Sequence, residues 1–239
     1  VIGVGHENAP SIQTLAAEFP AQHFAVIDAA VEGDNVASVV FREGEGDFLM
    51  GVLAALLTRT RRVGFIGGAD IPPVRRIESG FRQGVAYQDP AVEVLADLAG
   101  TFADPALGKA LALAQYAAGA DVIYNAAGRT GLGIIEAAQE TGHLVIGTSG
   151  DQRHLAPGHV VGNRPKRVDT AVLLLVGECV EGRFTPGTRS LGLAEGGLSI
   201  GPFDEQIVTP EMQARLAVLE RQIIAGEITL ASPAVEGAP

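Results

Sequence analysis

The 239-residue chain has a single cysteine, two methionines, three tyrosines and no tryptophan. One cysteine, Cys179, excludes an intrachain disulfide and a zinc site built on cysteines, and its apolar setting (AVLLLVGECVEG) reads as that of an inert buried thiol. No apolar run reaches eighteen residues, so no transmembrane helix is expected. Positive charge is scarce: seventeen Lys and Arg face twenty-eight Asp and Glu, a net charge of -11. With no basic cluster to offset that field, binding to nucleic acid is not expected. The five histidines (His6, His23, His143, His154, His159) show neither i, i+4 spacing nor HExxH, so no metal site is expected. A P-loop is lacking. Gly128, Gly131 and Gly133 form G-x-x-G-x-G, the reverse of a dinucleotide fingerprint, so no cofactor is expected. With no catalytic constellation, the chain does not read as an enzyme.

What is present is plentiful apolar material, 47% of the residues, together with 31 Gly and 13 Pro dispersed along the chain. The apolar residues form short continuous runs at 1–4, 24–27, 36–41, 63–66, 92–95, 122–124, 144–146 and 160–161. Continuous rather than alternating runs mark strands covered on both faces, as in parallel sheets. Helical stretches lie between them at 11–18, 47–58, 74–87, 105–118, 131–140 and 168–181, with a last one at 210–225 expected to pack outside. Asp104-Pro105 gives an N-cap followed by Pro in the first helical position. Repeated strand–helix units predict an α/β fold with doubly wound parallel sheets. The restart at VGFIGG after TRTRR (58–62) favours two sheets over one. The tail 231–239 is expected to be mobile. Val1 reads as the middle of a buried strand, from which further sequence upstream of it is expected.

Ligands of open α/β sheets bind at the carboxyl ends of strands. The residues placed there are GHEN (5–8), Asp28, REGEGD (42–47), GGAD (67–70), YNAAGRTG (124–131), TSGDQ (148–152) and GNRPK (162–166). His6 is either a cleft residue or a loop histidine. Asn125 and Gly128 lie in a turn that can expose backbone N–H groups at a helix N-terminus. Asp28 reads as satisfying backbone at a strand end, Asp151 as capping local turn amides, and Arg129 as either a cleft residue or a solvated one.

The blocks FREGEGDFLMGVLAA (41–55), VGFIGGADIPPVRRIESGFRQGVAYQDP (63–90), GTFADPALGKALALAQYAAGADVIYNAAGRTGLGIIEAAQETG (100–142) and IGTSGDQ (146–152) resemble the basic membrane protein family. These are substrate-binding lipoproteins of ABC transporters, many of them purine-nucleoside-binding. VIGVGH, FAVIDA and GNRPKRVD extend the resemblance over nearly the whole chain. It implies a type I periplasmic-binding-protein fold, two lobes joined by a hinge, with residues 1–60 and about 166–184 in the first lobe and 61–164 and about 188–239 in the second. It also implies a receptor that clamps a purine nucleoside or purine base between its lobes, partners an ABC permease, and sits in the periplasm or on the cell surface, lipid-anchored through sequence preceding this chain. By position, Tyr124 would stack the base and Lys166 would bond sugar hydroxyls. Ser149 stands where the family has Asp, and a hydroxyl offers a weaker contact than a carboxylate, which moves expectation towards a free base or another polar solute. The alternatives are an intracellular ligand-sensing regulator of the same fold and a nucleoside-processing enzyme.

Overall fold

The structure is a computed structural model and describes residues 1–231; of the tail expected to be mobile, residues 232–239 lie outside the described residues. The chain alternates strands and helices: β1 (Ile2–Val4), α1 (Ala9–Glu18), β2 (Phe24–Ile27), β3 (Val36–Phe41), α2 (Gly44–Leu57), β4 (Arg62–Gly67), α3 (Pro72–Gln88), β5 (Glu93–Leu98), α4 (Pro105–Ala117), β6 (Val122–Ala126), α5 (Gly131–Thr141), β7 (Leu144–Gly147), β8 (Val160–Asn163), α6 (Val168–Val180), β9 (Gly187–Leu191) and α7 (Pro210–Ile224). Two sheets form, one of four strands in the order β1-β2-β3-β9 and one of five in the order β5-β4-β6-β7-β8. Every strand pair in both is parallel. β2 and β6 are buried along their whole length, as continuous apolar runs require. Asp104 caps α4, accepting from the Leu107 N–H at 3.1 Å, with Pro105 in the first turn.

The chain divides into two units: Val1–Arg42 with Lys166–Leu198, and Glu43–Pro165 with Ser199–Pro239. The crossings therefore fall at 42/43, 165/166 and 198/199, whereas the sequence suggested the first near residue 60. The difference lies in α2, which packs on α3 in the second unit. A Cβ on Gly84 would lie 1.9 Å from the Phe48 carbonyl oxygen, and one on Gly51 would lie 2.1 Å from that of Phe81, so the two helix backbones touch where only glycine fits. No periodicity within α2 announces that partner. Gly84→Ala is expected to lower stability by about 1–3 kcal/mol through overpacking, read as a drop in the urea midpoint; an unchanged midpoint would show that the helices separate freely.

β9 was also missed. Its sequence, GTRSL, is polar and mostly exposed, and it adds to the edge of the first sheet beside β3. It keeps residues 187–198 in the first unit, where the resemblance had sent the chain onward from about 188. β1 lies at the opposite edge of the described sheet, with Ile2 and Val4 exposed. Cys179 is exposed, not buried. In the first unit the core gathers Ile12, Phe24, Val26 and Val36. In the second it gathers Ile66, Ile123, Ile134 and Val145, and α7 packs against α2 with Leu216 and Leu219 buried.

Candidate functional site

Parallel strands deliver their following residues to one end of a sheet, and each unit presents such an end. In the first unit β2 runs into Asp28, whose backbone takes the left-handed conformation (φ 75°) while its N–H donates to the Val39 carbonyl at 2.9 Å. Aspartate tolerates this region better than most residues. The bend carries the carboxylate to Lys166, whose Nζ donates to Asp28 Oδ1 at 2.8 Å and lies 5.2 Å from the centroid of the Phe41 ring. Lys166 is held by an antiparallel bridge to Leu198. About a fifth of each charged side chain is exposed. The result is an acceptor and a donor side by side, partly wet, at the sheet's carboxyl end. His6 sits in a 3-10 turn after β1, exposed, with Nδ1 3.4 Å from Glu7 Oε2.

In the second unit the corresponding end is rich in glycine. Asn125 closes β6: its Oδ1 accepts from the Ala127 N–H at 3.1 Å, and its carbonyl accepts from Thr148 Oγ1 at 3.1 Å, tying the β6 turn to the end of β7. Gly128 (φ 57°) completes that turn. Thr130 laces it to the loop after β5, with its N–H donating to the Phe102 carbonyl at 3.1 Å and its Oγ1 to that of Thr101 at 3.0 Å. Phe102 then rests on two glycines. A Cβ on Gly68, after β4, would lie 2.2 Å from its ring, and one on Gly128 would lie 3.3 Å away. Phe102 as a residue is 38% exposed. Ser149 and Arg129 are exposed at the same end of the sheet.

Residues 1–232 match the family model described as ABC transporter substrate-binding protein PnrA-like, Bmp. The chain belongs to that family. It is 34% identical over 237 residues to basic membrane protein B of Borrelia garinii subsp. bavariensis, covering 94% of this chain and 67% of the relative. It is 30% identical over 251 residues to the ABC transporter nucleoside-binding protein BmpA of Lactococcus lactis subsp. cremoris, covering 97% and 71%. Among solved structures, a solute-binding protein of an ABC transporter system from Aeropyrum pernix K1 superposes with a TM-score of 0.88 at 30% identity, over 98% of this chain and 78% of that one. The chain spans about two thirds of the length of these curated relatives. The Bmp family is one of substrate-binding proteins, and the two parallel-sheet units are the fold of its solved relatives.

Within this Bmp-family chain, the structure gathers Asn125, Gly128 and Ser149 at one end of the second unit and places Lys166 and His6 in the first. Tyr124 is placed otherwise than a stacking role requires. It is fully buried, its ring lies against Phe81 (centroids 5.0 Å apart, planes 24° apart), and its hydroxyl donates to Asp47. Side chains alternate along a strand, so Tyr124 and Asn125 point to opposite faces of β6, and the face that takes Tyr124 is covered by α2 and α3. Phe102 was missed. Its signal in the sequence was an aromatic between a strand end and the Asp104 cap. Asp151 binds the Arg153 N–H at 3.1 Å and the Arg153 guanidinium, as a local cap would. The side-chain and backbone hydrogen bonds from Arg153 hold its pKa down at about 2.

The second unit also contains a buried polar cluster that the sequence did not announce. Asp47 Oδ1 accepts from Arg164 Nε at 2.7 Å and from the Tyr124 hydroxyl, and Asp47, Tyr124 and Arg164 are at most 1% exposed. One turn earlier, at the N-cap of α2, the buried Glu43 accepts from Arg76 Nε at 2.8 Å. Burial raises the Asp47 pKa to about 6 against the pull of Arg164 and Tyr124, with Glu43 adding to the rise. Burial and the Asp47 charge also push the Tyr124 hydroxyl well above its ordinary value. Burial works against the charge on Arg164, but the anionic neighbours outweigh it and raise the Arg164 pKa. Among the described residues no three His, Cys, Asp or Glu side chains gather as a metal site requires, and no helix is long and apolar enough to cross a membrane.

Proposed function

We propose that this chain is the ligand-binding part of an extracytoplasmic receptor that delivers a purine nucleoside or purine base to an ABC permease. The observation that carries the reading is the Asp28–Lys166 pair, 2.8 Å apart and partly solvated at the carboxyl end of the first sheet. A vicinal diol donates and accepts at neighbouring atoms. A carboxylate beside an ammonium meets both needs, in charge-assisted bonds stronger than neutral ones. In the second unit the exposed ring of Phe102 takes the base-stacking role first assigned to Tyr124. Ser149 and the Gly128 turn supply polar groups around it, and Asn125 holds that turn in place. Membrane association runs through a lipid anchor in sequence preceding this chain, as the family relationship suggests, and places the receptor in the periplasm or on the cell surface. The nucleoside-binding relative in Lactococcus supports the choice of ligand class.

Calorimetric titration of the full-length protein with adenosine, guanosine, inosine and their free bases tests the reading. Stoichiometric binding of a nucleoside, stronger than of its base, supports both the receptor role and the sugar contact. Binding of bases alone removes the Asp28–Lys166 contact to ribose, and binding of neither class overturns the ligand assignment. Phe102→Ala is expected to weaken binding by about 1–3 kcal/mol, the usual worth of a base–aromatic stack. Tyr124→Phe, which removes only a hydroxyl buried against Asp47, is expected to leave affinity within about threefold of the native value. Unchanged affinity in Phe102→Ala would remove the stacking role from Phe102.

A further inference from the structure

Two of the three chain crossings begin in the buried polar cluster. Glu43 is the first residue of the second unit after the 42/43 crossing, and Arg164 stands one residue before Pro165, the last before the 165/166 crossing. The third crossing is hydrogen-bonded to the same root: Ser199 N–H donates to Pro165 O at 3.2 Å, Gly201 N–H to Asn163 O at 2.7 Å and Asp204 N–H to Val161 O at 2.9 Å. Arg164 N–H itself donates to Gly147 O at 2.8 Å. The polypeptide that leaves this root delivers Lys166 two residues later.

Stability alone does not account for an arginine in this place. Taking a guanidinium and a carboxylate out of water costs about what their attraction returns, and apolar residues of similar volume commonly do as well or better. A buried pair does confer direction, because Nε must meet Oδ1 at one distance and angle. Gly46, one turn into α2, makes room for it: a Cβ there would lie 2.8 Å from Arg164 Cγ and Cδ.

We propose that Asp47 and Arg164 form a pin that fixes the root of the crossing peptide, so that Lys166 is presented to ligand in a single geometry; the two are positioning residues for the binding reaction. The inference rests on the ligand-binding role given above to Lys166. The groups facing Asp47 are Arg164 from the end of β8, Tyr124 from β6 and Glu43 from its own helix, with Arg76 of α3 reaching it through Glu43.

Arg164→Met alone strands a buried carboxylate, so the informative variant is the double replacement Asp47→Leu with Arg164→Met, made in a Tyr124→Phe background so that neither a charge nor the Tyr124 hydroxyl is left unpaired. Two quantities are measured in the full-length protein: affinity for adenosine, guanosine and inosine by calorimetry, and amide hydrogen exchange over residues 163–168. The double variant is expected to keep its unfolding midpoint within a few degrees, bind nucleoside at least fivefold more weakly, and exchange the 164–167 amides about tenfold faster. Arg164→Lys, which keeps a cation opposite Asp47, is expected to recover most of both. Native affinity and native exchange in the double variant overturn the pin, as does weakened binding with unchanged exchange. If the native protein binds none of the three nucleosides, the ligand assignment fails while the exchange measurement still decides the pin.

Discussion

Replacing Arg164 with Met alone is expected to destabilise the second unit by about 3–5 kcal/mol at pH 7.5, the cost of breaking one side of a buried ion pair. For a chain of this size that corresponds to about 6–20 °C in the unfolding midpoint. The loss comes from Asp47, which stays fully buried with its cation gone and must either remain ionised in an apolar setting or take up a proton. Protonation is the cheaper course, and its cost falls with pH. The gap between variant and native protein, measured by urea denaturation, is therefore expected to narrow from pH 7.5 to pH 5. A gap that stays constant over that range would mean that Asp47 is not the group left stranded.

The native protein carries a weaker form of the same dependence. A carboxyl whose folded pKa is about 6, above its ordinary 3.8, holds its proton more tightly in the folded state than in the unfolded one. Stability attributable to Asp47 therefore grows as pH falls through 6 and is complete below 3.8, a gain on the order of 3 kcal/mol. The lowered carboxyls, Asp151 and Asp169 at about 2, act in the opposite sense, but only as pH falls below the ordinary carboxylate range. Between pH 7 and 5 the Asp47 effect is expected to dominate the difference between native protein and the Asp47→Leu, Arg164→Met double variant.

Lys166→Ala is the second large effect. Removing the ammonium takes away one charge-assisted bond to ligand and leaves Asp28 without the partner 2.8 Å away. Hydrogen bonds to charged groups contribute about 1.5–3 kcal/mol, so nucleoside affinity is expected to fall roughly 10- to 150-fold. The unfolding midpoint is expected to move little, because a pair with a fifth of each side chain in water contributes about 1 kcal/mol or less. Asp28→Asn keeps a side chain suited to the left-handed backbone at this position and removes only the charge. It is expected to weaken binding in the same direction. Unchanged affinity in Lys166→Ala would detach the pair from the ligand and, with it, the argument for a diol.

Much of the architecture was readable before any coordinates. β2 and β3 fall on the residues that the apolar runs marked, and the Asp104-Pro105 start of α4 was read correctly. These features are local: a strand covered on both faces is written as consecutive apolar residues, and a cap is written in two. β9 was not readable because an edge strand with exposed side chains carries no such run. The assignment of α2 to the second unit was not readable either, because what decides it is backbone contact between glycines some thirty residues apart.

The sequence by itself determined the class of fold, the parallel sheets, the family and the placing of Lys166 after the last strand of the second sheet. Tertiary structure decided what each candidate side chain meets. It buried Tyr124 against Phe81 and Asp47, brought Asp28 to Lys166 across 138 residues of chain, set Phe102 on two glycines, and paired Asp47 with Arg164. The reason is physical. Periodicity reports whether a face is covered, whereas charge pairing and ring placement depend on which distant residues do the covering.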